Sequence, residues 1–247
     1  MGDTAFDPAS VKALLFDVFG TVVDWRSSII REGRAFGAEI AALGLGADID
    51  WESFADEWRG LYQPSMDRVV RGERDWINLD GLHREGLDLL LARHGIKNVP
   101  EAVVAHFNRA WHRLNPWLDT VDGLTRLKRR YIIAPHSNGN IAMMVAMARR
   151  AGLPWDAILG AETARRYKAD RQSYLTSAAL LDLAPGQCLM VAAHNGDLQR
   201  AASVGLRTAF VLRPNELGPG RSKDPAPTAA YDVVASDFKD LADKLGC

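Results

Sequence analysis

The sequence has little of several features that would assign it to a particular class. Its 247 residues contain only two cysteines, Cys188 and Cys247, too few for a disulfide framework or a cysteine metal site. The 30 basic and 31 acidic residues nearly cancel, which argues against a nucleic-acid or membrane-surface protein. No apolar run approaches the roughly 18 residues that a membrane span needs.

The N-terminus also lacks a targeting signal. Residues 1–6 show no basic stretch followed by an apolar one, and Phe6 stands where a myristoylation signal would have Ser or Thr. The composition, 47% hydrophobic and 25% charged, is ordinary for a globular enzyme with a sizeable core. We therefore expect a soluble, cytoplasmic protein with two free thiols and no membrane or nucleic-acid partner.

Short apolar segments alternate with segments of helical periodicity through most of the chain. Such alternation predicts βαβ units and an α/β fold with a doubly wound, mostly parallel, Rossmann-like sheet covered on both faces. The candidate strands are 13–16, 131–134, 157–159, 188–193, 208–212 and 232–235, and the candidate helices are 141–150, 173–181, 198–204 and 238–245.

The stretch 25–115 interrupts this alternation. It shows no convincing strand, contains five of the seven tryptophans and has the periodicity of successive amphipathic helices. We predict that it forms an inserted, all-helical cap domain, and that residues 1–24 and 116–247 form the core. Pro116 disfavours helix at the preceding residue and marks the exit. The Pro- and Gly-rich segment 213–227 is predicted to be a solvated surface loop.

Polar residues follow each of the first four predicted strands of the core. Parallel strands deliver the residues beyond their carboxyl ends to one crevice, where ligands bind. Asp17 is the candidate nucleophile, because a carboxylate with a pKa of about 3.9 is ionised at pH 7 and needs no helper base. Taken alone, a residue of any of these types is more often a helix cap, a turn residue or an exposed surface charge than a catalytic group. The set comprises Asp17 and Thr21, then Ser137 and Asn138, then Lys168, then His194 and Asp197.

In this order the residues resemble the four motifs of the haloacid dehalogenase superfamily, over nearly the whole chain. Asp17 and the turn after it look like the first motif, Ser137 belongs to the second, Lys168 is the third and Asp197 the fourth. Phosphatases of that superfamily place a second Asp two residues after the nucleophile, as the acid for the leaving group. The (S)-2-haloacid dehalogenases have an aromatic residue there, as this chain has Phe19.

A phenyl ring cannot pass on a proton, and a halide leaving group needs none. The resemblance therefore implies hydrolysis of small 2-haloalkanoic acids to 2-hydroxy acids through an aspartyl ester, with haloacetates and fluoroacetate among the candidate substrates. It implies no metal, no cofactor and a homodimer.

The resemblance also implies roles for single residues. Asp17 attacks the carbon that bears the halogen, and Thr21 orients it. Lys168 keeps both acids ionised, since two carboxylates close together would otherwise raise one pKa. Asp197 is the base or water-orienting group for ester hydrolysis. The backbone N–H groups of Val18 and Phe19, with Ser137, hold the substrate carboxylate, while Arg59, Asn138 and Trp76 cradle the halide.

Three positions depart from the type members of the resembled family. Ala192 and His194 replace a serine and an asparagine, and Ala169 replaces a proline. We predict that His194 supplies the missing polar contact, because imidazole donates or accepts according to its tautomer. A structural role at the strand end is the alternative. His136 is assigned a structural role.

Two other functions fit parts of the pattern. In a magnesium-dependent phosphatase Asp17 would attack phosphorus and Asp197 would bind the metal, but Phe19 argues against it. Alternatively, a non-catalytic binding module would keep the fold. A buried set of charges is costly to desolvate and has no use in a pure scaffold, which argues against this second alternative.

Overall fold

A computed structural model describes residues 6–46 and 48–247. Residues 1–5, on which the expectation about the N-terminus largely depends, lie outside the described residues. No helix in the described ranges is long and apolar enough to cross a membrane.

The described residues contain strands and helices in the alternation that the sequence predicts. The strands are β1 (Ala13–Phe16), β2 (Val23–Asp24), β3 (Asn115–Pro116), β4 (Ile132–Ser137), β5 (Leu159–Gly160), β6 (Cys188–Ala192), β7 (Arg207–Val211) and β8 (Val233–Ala235). The helices are α1 (Trp25–Ala42), α2 (Trp51–Val70), α3 (Leu79–Arg93), α4 (Glu101–Asn108), α5 (Thr120–Leu127), α6 (Ile141–Ala151), α7 (Ala161–Ala164), α8 (Gln172–Ala179), α9 (Asn195–Ala202) and α10 (Phe238–Lys244).

Six strands form one sheet in the order β5-β4-β1-β6-β7-β8, and every neighbouring pair is parallel. The predicted α/β fold with a parallel sheet is confirmed. Strand β1 has β4 on one side and β6 on the other, so the chain order reverses there. Ligands of such sheets bind where the order reverses, beyond the carboxyl ends of the strands.

Strand β1 is buried on both faces, which explains its uninterrupted apolar sequence. Leu14 and Phe16 pack in one hydrophobic cluster, whereas Ala13 and Leu15 pack in the other, and all four are fully buried. Alternate residues of a strand point to opposite faces, so a strand covered on both sides must be apolar throughout. This burial fixes the position of Asp17, the next residue.

Strand β4 continues through a proline, beyond the predicted end at Ala134. The Ile132 N–H donates to the Lys12 carbonyl beside β1, and the Ile133 N–H points the other way, to Asp156. By this alternation the nitrogen of Pro135 faces away from β1, and β5 begins to pair only at His136. The missing N–H therefore removes no ladder bond, and the strand can deliver Ser137 to the crevice.

Between β2 and β3 the regular structure of the described residues is helical: α1 to α4 and a 3-10 helix at Arg109–His112. Strands β2 and β3 pair antiparallel, Val23 with Pro116 and Asp24 with Asn115, so the segment leaves the core where it entered. The sequence analysis missed this strand pair and also α5. The division into a core and a cap at these positions stays a prediction.

The prediction of a solvated surface loop at 213–227 is wrong for its first residues. Arg213 and Glu216 are buried, with 6% and 2% of their surface exposed. Arg213 donates from Nε to the Thr21 carbonyl at 2.8 Å, and from both terminal nitrogens to the Asp119 carboxylate at 2.8 and 2.9 Å. The composition of the segment predicts exposure to solvent, but the hydrogen bonds of the Arg213 guanidinium attach the start of the loop to the core.

Replacing Arg213 tests how strongly this anchor holds the loop. We expect Arg213→Met to lower the free energy of unfolding by about 3 kcal/mol, because it removes a buried cation and leaves the half-buried Asp119 carboxylate without its partner. Lys239→Met, which removes an exposed pair with Asp122 at 3.6 Å, should cost at most about 1 kcal/mol. Urea denaturation measures both. Equal small effects would show that the buried pair does not anchor the loop.

Candidate active site

A cavity of about 310 Å³ opens at the carboxyl end of β1. Most of the predicted site residues converge on it from different elements. Those that line it are Asp17, Phe19, Arg59, Asn138, Lys168, His194 and Asp197.

The Asp17 carboxylate is buried and accepts three hydrogen bonds. Lys168 Nζ lies 2.8 Å from Oδ1, while the Thr21 hydroxyl at 2.7 Å and His194 Nδ1 at 3.1 Å both approach Oδ2. Burial alone would raise the pKa of Asp17, but Lys168 and His194 outweigh it and hold that pKa well below its usual range. Asp17 is therefore an ionised carboxylate inside the protein.

Lys168 also contacts Asp197 and so lies between the two acids, as the sequence analysis predicts. Burial works to lower the pKa of Lys168, but the two carboxylates raise it above the ordinary lysine value. The other Asp197 oxygen accepts from the hydroxyl of Tyr174 on α8. Burial and Asp197 raise the pKa of Tyr174, which keeps this hydroxyl protonated.

Thr21 connects two strand ends. Its hydroxyl donates to Asp17 and accepts the Ala193 N–H at 2.9 Å, and the residue is fully buried. One hydroxyl thus sets the position of the carboxylate after β1 relative to the turn after β6.

His194 is held between two carboxylates. Nδ1 lies 3.1 Å from Asp17 Oδ2, and Nε2 lies 3.1 Å from both oxygens of Glu216 on the 213–227 loop. Burial lowers the pKa of His194, but the hydrogen bonds and charges of the two acids outweigh it and raise the pKa to about 9. His194 is therefore a cation at neutral pH. His136 lies buried outside the cavity, 2.9 Å from the Ser177 hydroxyl.

Backbone donors lie next to Asp17. In the described part of the chain, the N–H groups of Val18 and Phe19 donate to no other group of the protein. Ser137, which is buried, accepts the Gly139 N–H at 3.0 Å and does not line the cavity. Of these three residues, Phe19 lines the cavity, whereas Val18 and Ser137 are buried and are not among the described residues that line it.

One cavity wall comes from α2. The Arg59 guanidinium lies over the Tyr62 ring, 4.0 Å from its centroid. The Tyr62 hydroxyl accepts from the Asn138 amide at 2.8 Å, and the Asn138 oxygen accepts the Lys168 N–H at 2.8 Å. Trp76 does not line the cavity; it packs on Tyr167 with 4.8 Å between the ring centroids. Its assignment to the halide cradle stays a prediction, whereas Tyr62 is an aromatic residue that does line the cavity.

Sequence reasoning missed several polar residues in and around the cavity, among them Tyr62, Tyr174 and Glu216. Tyr62 and Tyr174 occupy helical positions whose spacing is equally that of core aromatics, so no sequence signal separates them. Glu216 lies in a segment without periodicity. Only the tertiary fold shows which acid of that loop is buried.

Charge in and around the cavity favours an anionic ligand. Five cationic side chains line it, against three carboxylates: Arg59, Lys168, His194, Arg200 and Lys223 against Asp17, Asp197 and Asp224. Lys168 contacts both Asp17 and Asp197, and His194 contacts both Asp17 and Glu216, so these two cations are already paired within the protein. Among the described residues no group of three His, Cys, Asp or Glu side chains has a geometry suited to a metal ion.

Comparison with known proteins agrees with this geometry. The model of a hydrolase family, the haloacid dehalogenase-like hydrolases, matches residues 11–205. The chain belongs to this family. The similarity of this haloacid dehalogenase-like hydrolase to solved structures extends over its whole length. A defluorinating L-2-haloacid dehalogenase is 46% identical, with a TM-score of 0.93, covering 99% of this chain and 100% of that one.

Two further relatives of this haloacid dehalogenase-like hydrolase carry related names. A second L-2-haloacid dehalogenase of known structure is also 46% identical, with a TM-score of 0.90 and coverage of 96% and 99% of the two chains. The (S)-2-haloacid dehalogenase of Xanthobacter autotrophicus is 28% identical over 208 residues, 82% of this chain and 76% of that protein.

The charge on His194 predicts a pH dependence of stability. Its pKa of about 9 in the folded protein lies above the unfolded value of about 6.5, so its contribution is complete below pH 6.5 and is lost as the pH rises through 9. We expect up to about 3 kcal/mol of the free energy of unfolding to disappear over that range. Urea denaturation should show a smaller decline in His194→Asn, whereas parallel profiles would contradict the assignment.

Proposed function

We propose that this chain hydrolyses small 2-haloalkanoic acids to 2-hydroxy acids through an ester on Asp17. One observation carries the proposal: Asp17 is a buried, ionised carboxylate on a cavity with more cations than anions. Its neighbour Phe19 offers no proton, which suits a leaving group that departs as a halide. Two relatives at 46% identity, one described as defluorinating, support the same substrate class.

In the first half-reaction Asp17 attacks the carbon that bears the halogen, from the side opposite the halogen. The new carbon–oxygen bond forms as the carbon–halogen bond breaks, and the halide leaves with the bonding pair. Thr21 and Lys168 hold the carboxylate in place, which favours a reacting distance of about 3–3.5 Å. Removing a buried nucleophile's freedom in this way lowers the entropic part of the barrier.

The substrate needs two anion sites, one for its carboxylate and one for the departing halide. The unpaired N–H groups of Val18 and Phe19 suit the carboxylate, because fixed amide dipoles bind an anion without a mobile charge. Ser137 is the third group of this site. For the halide we propose Arg59 with the Asn138 amide, beside Tyr62.

In the second half-reaction water attacks the ester, and Asp197 takes its proton. Lys168 and Tyr174 each hold one oxygen of Asp197, so the carboxylate has a fixed direction. His194 contacts the Asp17 oxygen that is not bound to Lys168.

The cavity volume of about 310 Å³ lies at the lower end of the range for ligand pockets, about 300–1,000 Å³. We therefore propose acids of two or three carbons, with haloacetates and fluoroacetate included. We further propose a cytoplasmic homodimer in which residues 25–115 are a cap over a core of residues 1–24 and 116–247. These points are supported by the family resemblance, and the free thiols are compatible with a reducing compartment.

Heavy-oxygen labelling tests the covalent step. After a single turnover in ¹⁸O water with excess enzyme, we expect the isotope in the Asp17 side chain, because water attacks the ester carbonyl and one Asp17 oxygen leaves with the product. Mass spectrometry of the peptide that contains Asp17 measures it. Asp17→Asn should lose activity by about 10⁴-fold or more, while Asp170→Asn, on the surface, retains it. Label in the product alone would contradict the ester.

Substrate comparison tests the reaction class. We expect halide release from (S)-2-chloropropionate and chloroacetate, slower release from fluoroacetate, and little from (R)-2-chloropropionate, since the halogen must point away from Asp17 while the carboxylate is bound. EDTA should not change these rates. Ion chromatography measures the halide. Activity confined to phosphate esters and abolished by EDTA would replace this proposal with the phosphatase.

A further inference from the structure

Glu216 is a buried carboxylate that the chemistry above does not use. It has 2% of its surface exposed and lies on the 213–227 loop, 3.1 Å from His194. Burying an acid without a partner would be costly, so its position calls for a cation, and His194 is the cation that it contacts. The Trp25 indole N–H also approaches it, at 3.4 Å.

The backbone around Glu216 leaves space for its carboxylate. Gly20 has a φ of +88°, and a Cβ there would lie 2.2 Å from Glu216 Oε1. Any side chain at position 20 would therefore expel Glu216 as well as strain the backbone. Arg213 fastens the start of the same loop to Asp119 and to the Thr21 carbonyl. Glu216 thus has a fixed place beside His194.

The two oxygens of Asp17 have different partners. Among the described residues, Oδ2 accepts from Thr21 and His194, whereas Oδ1 accepts from Lys168 alone. The oxygen with fewer donors keeps a lone pair free for attack. Oδ1 is then the nucleophile, and Oδ2 becomes the carbonyl oxygen of the ester.

We propose that Glu216 is a positioning residue for ester hydrolysis: it holds the His194 ring against Asp17 Oδ2, where His194 and Thr21 together stabilise the oxyanion. The inference rests on the proposed function. Water adds to the Asp17 carbonyl carbon, its proton passes to Asp197, and the π electrons move to Oδ2. The electrons on Oδ2 then restore the carbonyl as the carbon–Oδ1 bond breaks, and the product oxygen takes the proton back from Asp197. The second proton of the water stays on the new Asp17 oxygen and is lost to solvent, which restores the Asp17 carboxylate.

The need for a second acid follows from the charge on Asp17. Asp17 is anionic before the reaction and neutral as an ester, so it cannot hold the protonated ring throughout the cycle. Glu216 forms no bond to the substrate, so its contact with the His194 ring is available throughout the cycle. It therefore keeps both ring nitrogens protonated when the oxyanion forms. Hydrogen-bond donors that are already in position stabilise a developing negative charge without having to reorganise. Six other charged groups share the cavity: Arg59, Lys168, Asp197, Arg200, Lys223 and Asp224.

Glu216→Gln tests this role, since it removes the charge and keeps the shape. With excess enzyme and (S)-2-chloropropionate, rapid quenching follows halide release, and intact mass follows the ester. We expect halide release within a few-fold of the original rate, ester hydrolysis slower by about 10²–10³-fold, and accumulation of the ester. Glu216→Asp should recover part of the rate. Glu32→Gln, at a half-buried glutamate paired with Arg113, should leave both steps unchanged.

A second measurement needs no variant and covers the case in which Glu216→Gln does not fold. In the unaltered protein, ester hydrolysis should fall with rising pH, with its midpoint at or below about 9, because the neutral ester supports the His194 charge less than the Asp17 anion does. Halide release should not show this decline.

Equal slowing of both steps, or unchanged hydrolysis in Glu216→Gln, would overturn the inference, and so would a common pH profile for the two steps. Absence of halide release from every 2-haloacid by the unaltered protein would instead overturn the proposed function. The two failures are therefore distinguishable.

Discussion

The contact of one ammonium group with two carboxylates is the interaction on which this site depends. Lys168 lies between Asp17 and Asp197, all three with less than a tenth of their surface exposed. Without the cation, two acids this close could not both ionise in a buried place. The parallel sheet brings them together, because the residues after β1 and β6 and the segment after β5 meet at the reversal of strand order.

A second cation extends the same principle to the other side of the nucleophile. His194 neutralises the Asp17 oxygen that Lys168 does not reach, and Glu216 in turn neutralises His194. The charges thus alternate along a line: acid, lysine, acid, imidazolium, acid. Each charged group has an oppositely charged neighbour within hydrogen-bond distance, so all five can be buried. As a result Asp17 is ionised and needs no base to act as a nucleophile.

The sequence predicts this arrangement only where the signal is local. Buried strands are apolar throughout, so β1 and β6 and the residues beyond them, Asp17 among them, could be located. Lys168 could be assigned because its position relative to the other motifs resembles a known family. Glu216 could not, since its burial depends on Arg213 and on the room left by Gly20. The sequence does not show whether an aromatic residue packs in a core or faces a cavity. Tyr62 on α2 lines the cavity, whereas Trp76, in the connection between α2 and α3, packs on Tyr167.

The Asn138 amide is one of the groups that join the helical segment and the sheet at the site. Asn138 donates to Tyr62 on α2 and accepts from the backbone of Lys168. Arg59 lies on the Tyr62 ring and has no salt bridge to an acid among the described residues. The cation that we assign to the halide is thus positioned by an aromatic face and not by a carboxylate, which leaves its charge available to an anion. The Asn138 amide contacts both the Tyr62 hydroxyl and the backbone of Lys168. A shift of α2 relative to the sheet would therefore move the proposed halide site together with Lys168, the cation that contacts Asp17.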